Sequence, residues 1–98
     1  MSSRNKYFTP DQRIEARCLY YALRTAREMV RSGQVSCPRI EKEMRDVIKS
    51  VCRSARIDYI AFTEFSTLKP VRKLVRGTIC SLAVKLHRVR LIDNMKLM

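Results

Sequence analysis

Thr78-Ile79-Cys80-Ser81-Leu82-Ala83-Val84-Lys85-Leu86 decides the fold class. Cys80, Leu82, Val84 and Leu86 alternate with Ser81, Ala83 and Lys85, the period of a strand with one face against a core. Downstream, a tight reversal near His87-Arg88 would return the chain as a further strand, Val89-Arg90-Leu91-Ile92, ending at Asp93-Asn94. Upstream, Ile57-Asp58-Tyr59-Ile60-Ala61-Phe62 is β-branched and aromatic and short enough to be a strand of its own. Between them, Glu64 to Pro70 carries the Ser, Thr and Pro of a turn region, and basic Val71 to Gly77 is expected to hold a helical turn.

Before Ile57 the period changes from two to 3.6. Thr9-Pro10-Asp11-Gln12 is a helix start: Thr9 suits the cap, Pro10 the first turn, Asp11 the positive dipole end and Gln12 the capping box. Ile14, Cys18, Tyr21, Ala22, Thr25, Met29 and Val30 follow at helical spacing, widened by Leu19, Leu23 and Ala26. Gly33 is expected to end this helix in the left-handed conformation. Ser36 opens a second helix with Pro38 in its first turn and a narrower stripe of Ile40, Met44, Val47, Ile48, Val51 and Cys52. Its other side is charged and allows i,i+4 pairs such as Glu41–Arg45. Two helices followed by three short strands predict an α+β domain, a small mainly antiparallel three-stranded sheet with the helices packed on one face.

The 98 residues, 46% of them hydrophobic, suffice for one domain with a modest core. No apolar run approaches the ~20 residues of a membrane-crossing helix, and the polar start does not fit a secretory signal. A soluble, cytoplasmic chain with no membrane contact is expected. Cys18, Cys37, Cys52 and Cys80 lie far apart, and a single histidine, His87, cannot complete a zinc set. No protein-bound metal is expected, and the thiols read as small core residues.

The net charge of +12 raises nucleic acid as a partner. The basic residues are spread out, however: Arg13, Arg17, Arg24, Arg27 and Arg31 on the first helix, then Arg72, Lys73 and Arg76. No stacking aromatics interleave with them in a nucleic-acid signature. A generally basic surface, or one meeting an anionic ligand or an acidic domain, accounts for the charge equally well.

Met1-Ser2-Ser3-Arg4-Asn5 places two hydroxyls beside a guanidinium ahead of the first helix. Those groups and open backbone N–H donors are what a polyphosphate requires. A chain end of this kind is also where fraying is commonest.

Several stretches together resemble the pantoate–β-alanine ligase family. Met1-Ser2-Ser3-Arg4-Asn5 with Tyr7 resembles its M-S-S-R-N segment. Arg13, Ala16, Leu19, Leu23 and Ala26 match the helix that follows. Ile57-Asp58-Tyr59, Thr67-Leu68-x-Pro70 and Arg90-Leu91-Ile92-Asp93-Asn94 match three later motifs in order and spacing. The resemblance implies an ATP-dependent ligase of the nucleotidyltransferase superfamily, which adenylates pantoate, releases pyrophosphate and lets β-alanine attack the acyl adenylate. It implies that residues 1–98 are the C-terminal domain, a lid over ATP, and that the Rossmann-like N-terminal catalytic domain with its H-x-G-H motif is absent. Met1, Ser2, Ser3 and Arg4 would then bind ATP, which brings its own Mg²⁺, and Arg4 would be catalytic. Pantoate and β-alanine would be met only through the N-terminal domain, so the isolated chain is expected to be inactive. Alternatives from other classes are a stand-alone basic module for nucleic acid or another protein, and a structural remnant without ligand.

The chain departs from the family pattern in two places. His87-Arg88-Val89 stands where glycine is usual before the last strand, so a hairpin of another type, or a strained one, is expected. Phe65 replaces a small residue. Arg90 and Asp93 read as structural, His87 as an exposed turn residue, and Lys69, Arg72, Lys73 and Arg76 as solvated. Without the nucleotide pocket opposite, residues 1–5 are expected to be loosely held and the chain from Thr9 to be firm.

Overall fold

A computed structural model of the chain describes residues 17–86 and 88–97. The helix start at Thr9-Pro10 and the turn residue His87 lie outside them. Helix α1 spans Cys18–Arg31 and helix α2 spans Cys37–Val51. Strands β1 (Arg56–Glu64), β2 (Thr78–Leu86) and β3 (Val89–Lys96) follow.

Each helix buries one stripe. Helix α1 buries Cys18, Leu19, Ala22, Leu23 and Ala26, and α2 buries Cys37, Ile40, Met44 and Ile48. The end of α1 is set by Gly33, whose φ of 100° is open to glycine and strained for other residues. The Gly33 N–H donates to Val30 O at 3.1 Å and the Gln34 N–H to Met29 O at 2.9 Å, the paired bonds of a Schellman stop. Ser36 occupies the cap of α2, but its side chain makes no capping bond. Instead the Cys37 N–H donates to Arg72 O at 2.9 Å, so a distant segment satisfies that end of the helix.

The sheet is antiparallel throughout, in the order β1-β2-β3. Central β2 turns Thr78, Cys80, Leu82, Val84 and Leu86 to one face, all fully buried in a single core with the helix stripes, Ile60, Phe62 and Leu91. On the other face Tyr59, Ala83 and Ile92 stand in one cross-strand row. Ala83 is buried between them, while Tyr59 and Ile92 are exposed. The α+β architecture and the one-sided helix layer agree with the sequence reading.

Two local expectations are corrected. Strand β3 does not end at Asp93-Asn94: pairing continues through Leu82↔Asp93 and Ser81↔Asn94 to Ile79↔Lys96. Asp and Asn are poor strand formers, but the unpaired edge of β2 supplies hydrogen bonds that outweigh a weak local preference. Residues 71–77 hold no helical turn. The segment runs extended through Leu74 between β1 and the α1–α2 loop, with the Val71 N–H donating to Phe62 O at 2.9 Å and the Leu74 N–H to Val35 O at 2.8 Å, and then turns, the Thr78 N–H donating to Val75 O at 3.1 Å. Leu74 is buried and pins it to the core. Two neighbouring main chains with open bonding groups decide the conformation here.

Candidate functional site

The sequence-predicted phosphate grip, Met1, Ser2, Ser3 and Arg4, lies outside the described residues. The other singled-out residues can be placed in the fold. All four cysteines are buried. Burial, with smaller contributions from Cys37 and Glu41, pushes the Cys80 thiol up to about 12, and Cys80 Sγ lies 3.8 Å from Met44 Sδ. Burial also raises Cys37. Neither thiol is poised to ionise as a nucleophile. Among the described residues no cluster of three His, Cys, Asp or Glu side chains is placed to hold a metal ion. Among them, too, no helix is long and apolar enough to cross a membrane.

Two of the family-like motifs meet in space. A bulge leaves Asp58 as the extra residue between Ile57↔Val84 and Tyr59↔Ala83. Arg90, on the opposite edge strand, donates from Nε to Asp58 Oδ2 at 2.8 Å. The "I-D-Y" and "R-L-I-D-N" stretches are thus strapped together across β2. This is a structural role for Arg90, as expected. Asp93 accepts from the neighbouring Asn94 N–H at 2.8 Å and stays with the strand.

Beyond β1 the Glu64–Pro70 turn is closed by its own side chains. The Glu64 carboxylate accepts from Ser66 Oγ and, at 2.7 Å, from Thr67 Oγ1. These bonds, Ser66 first and Thr67 second, hold Glu64 below the usual carboxylate range. Leu68 takes a positive φ of 57° and is 71% exposed. Lys69 and Arg76 share an open depression of about 590 Å³ with Glu64, Thr67, Val71 and Val75. Arg72 and Lys73 are exposed beside it, as expected of solvated residues.

A second, narrower concavity of about 240 Å³ was missed from sequence. It is lined by Tyr20, Arg24, Arg27, Glu28 and Arg31 of α1 and by Met95 of β3. The signal was present in the spacing of Tyr20, Arg24, Arg27 and Arg31 at i, i+4, i+7 and i+11, which puts them on one helix face. Counting basic residues along the chain hid that alignment.

Residues 1–96 match the family model described as pantoate-beta-alanine ligase. Pantothenate synthetase of Syntrophomonas wolfei is 40% identical over 95 residues, covering 97% of this chain and 33% of the relative. That of Desulfatibacillum aliphaticivorans is 43% identical over 94 residues, covering 96% and 33%. The crystal structure of pantothenate synthetase from Thermus thermophilus superposes with a TM-score of 0.87 at 33% identity, covering 99% of this chain and 34% of that one. The chain thus spans about a third of the length of the relatives it matches. A stand-alone nucleic-acid module gains no support from these matches. On sequence over nearly its whole length, and on shape, the chain belongs to the pantoate–β-alanine ligase family.

Proposed function

We propose that this chain is the C-terminal, ATP-covering domain of an enzyme that joins pantoate to β-alanine. The observation carrying the proposal is the family match over residues 1–96, a third of the relatives' length, which includes the Met1-Ser2-Ser3-Arg4-Asn5 segment. In the overall reaction a pantoate carboxylate oxygen attacks the α-phosphorus of ATP and the bond to the β-phosphate breaks, releasing pyrophosphate. The β-alanine amine then attacks the acyl carbon, AMP leaves, and the amine gives up a proton as the amide forms.

Within that reaction this domain's part is electrostatic. Ser2 and Ser3 donate hydroxyl or backbone N–H bonds to phosphate oxygens, and Met1 contributes backbone contact near the nucleotide. Arg4 pairs with the phosphates and neutralises the charge that builds on departing pyrophosphate. Mg²⁺ enters with ATP as part of the substrate. The carboxylate pocket and the adenine pocket belong to the remaining two thirds of the relatives' length, so the 98 residues by themselves catalyse no ligation.

The test joins this chain to those two thirds from a relative and measures pyrophosphate exchange. Losing one preorganised donor to developing charge costs roughly 10²–10³ in rate, so Arg4→Ala should lower adenylation by about that factor. Pantoate binding should change far less. Unchanged exchange turnover would remove Arg4 from the mechanism.

A further inference from the structure

We infer that Cys37, Met44 and Cys80 form an all-sulfur binding site for a soft monovalent cation, Cu(I) by its chemistry, between helix α2 and strand β2. The inference stands on the described residues alone and does not rest on the ligase reading.

The first observation is convergence. Cys37 and Met44 stand at i and i+7, two turns apart on the buried stripe of α2. A methionine on a helix leans back toward the N-terminus, which brings its sulfur toward Cys37. Cys80 meets this stripe from the inner face of β2, with Sγ 3.8 Å from Met44 Sδ. Cys37 reaches the same seam from its other end. Phe62, the cross-strand partner of Cys80, lines one small hollow together with Cys37. The neighbouring segment ties the two: the Val71 N–H donates to Phe62 O and the Cys37 N–H to Arg72 O, each at 2.9 Å. Cys80 is close enough to feel a charge on Cys37. Two thiols and a thioether thus meet, although 36 positions separate Met44 from Cys80.

The second observation is access. Met44 and Cys80 are fully buried, but Cys37 lines a hollow of about 260 Å³ shared with Glu41 and Arg72. Glu41, one helical turn beyond Cys37, supplies a carboxylate on the way in while it pairs with Arg45 at 3.0 Å. A small cation therefore reaches the Cys37 sulfur from the hollow without the core unfolding, and Cys80 and Met44 lie behind it.

Ligand class follows from the donors. Mg²⁺ and Ca²⁺ require oxygen ligands. Zn²⁺ requires a fuller set, and among the described residues no third His, Cys, Asp or Glu joins the two thiols. Thiolate and thioether donors select Cu(I), which is satisfied by as few as these. On binding, both S–H bonds break, two Cu–S bonds form, the protons leave to solvent and the metal stays Cu(I). The site then carries one net negative charge, which Arg72 on the same hollow is placed to offset.

The experiment titrates the reduced 98-residue chain with Cu(I) under argon, in competition with bicinchoninate, and follows Tm. A single Cu(I) should bind, with thiolate-to-copper absorption in the ultraviolet and sulfur-only coordination by X-ray absorption. A site made by the fold should raise Tm, because the metal then favours the native state; thiols gathered only by the unfolded chain would lower it. Losing even an outer partner of a metal ligand costs about 10–100-fold in affinity, so Cys37→Ala and Cys80→Ala should cost at least that. Met44→Leu, nearly volume-conserving, should weaken binding by about tenfold or more with an unchanged circular dichroism spectrum. Cys18→Ala/Cys52→Ala should bind as the parent does. Should Cys80→Ala fail to fold, Cys37→Ala and Met44→Leu keep the test decisive. The inference fails if either of those two binds Cu(I) as tightly as the parent, if Cys18→Ala/Cys52→Ala loses the metal, or if Tm falls during the titration.

Discussion

Helices α1 and α2 differ by one residue in length, and both bury one stripe against the same sheet, yet they fill that stripe with residues of different size. Helix α2 brings the bulk, with Ile40, Met44 and Ile48 fully buried, and carries the Glu41–Arg45 pair on its outer side. Helix α1 meets it with small residues, Cys18, Ala22 and Ala26, beside Leu19 and Leu23, and carries the Arg24–Glu28 pair outside. Two neighbouring helices thus answer the same packing requirement with complementary volumes. A core dictates the buried stripe of a helix and leaves its exposed face free to vary.

Removing bulk from the large partner should give the largest effect. Ile48→Ala should destabilise the fold by about 2–5 kcal/mol, because the surrounding core closes only partly over the lost volume. Adding bulk to the small partner is the converse: Ala26→Leu should cost about 1–3 kcal/mol through overpacking. Chemical denaturation of both variants checks the volume half of the comparison, and a neutral Ala26→Leu would show that the helices can move apart.

The stops of the helices come next. Helix α1 ends on Gly33, whereas the cap of α2, Cys52, is already extended toward β1. Gly33→Ala forces a side chain into a positive φ and should cost about 1–2 kcal/mol, read as a lower Tm. No heavy atom lies within 4 Å of the added methyl position, so the cost would be conformational and not steric.

Charge effects should be smaller. Asp58→Asn should cost about 0.2–1 kcal/mol, since both side chains of the sheet strap remain well exposed. Smallest and most telling is Arg27→Glu, which gives α1 the Glu-to-Arg i,i+4 spacing that α2 has at Glu41–Arg45. It should stabilise the helix by about 0.2–0.5 kcal/mol, read by chemical denaturation. A loss of stability would mean that Arg27 is held by a contact within the protein.

The sequence by itself determined the order of the described elements, the stop of α1 at Gly33, the position of α2, the Glu41–Arg45 pair, the inward residues of β2 and membership of the family. Each of these is written in near neighbours: 3.6 and 2.0 periodicities, one glycine, one spacing, one ordered set of motifs. What tertiary structure decided involves partners remote in the chain. Strand β3 runs on through Asp93 and Asn94 because β2 offers it a ladder. Residues 70–74 are extended because Phe62, Val35 and Cys37 have main-chain groups to share with them. Asp58 and Arg90 meet because a bulge and an edge strand face one another across β2. Met95 lines the same hollow as the arginines of α1, more than sixty positions earlier, because the fold lays β3 beside that helix. Local preferences are worth tenths of a kcal/mol per residue, and an unsatisfied buried backbone group costs about 1–3 kcal/mol, so where the two conflict the distant partner prevails.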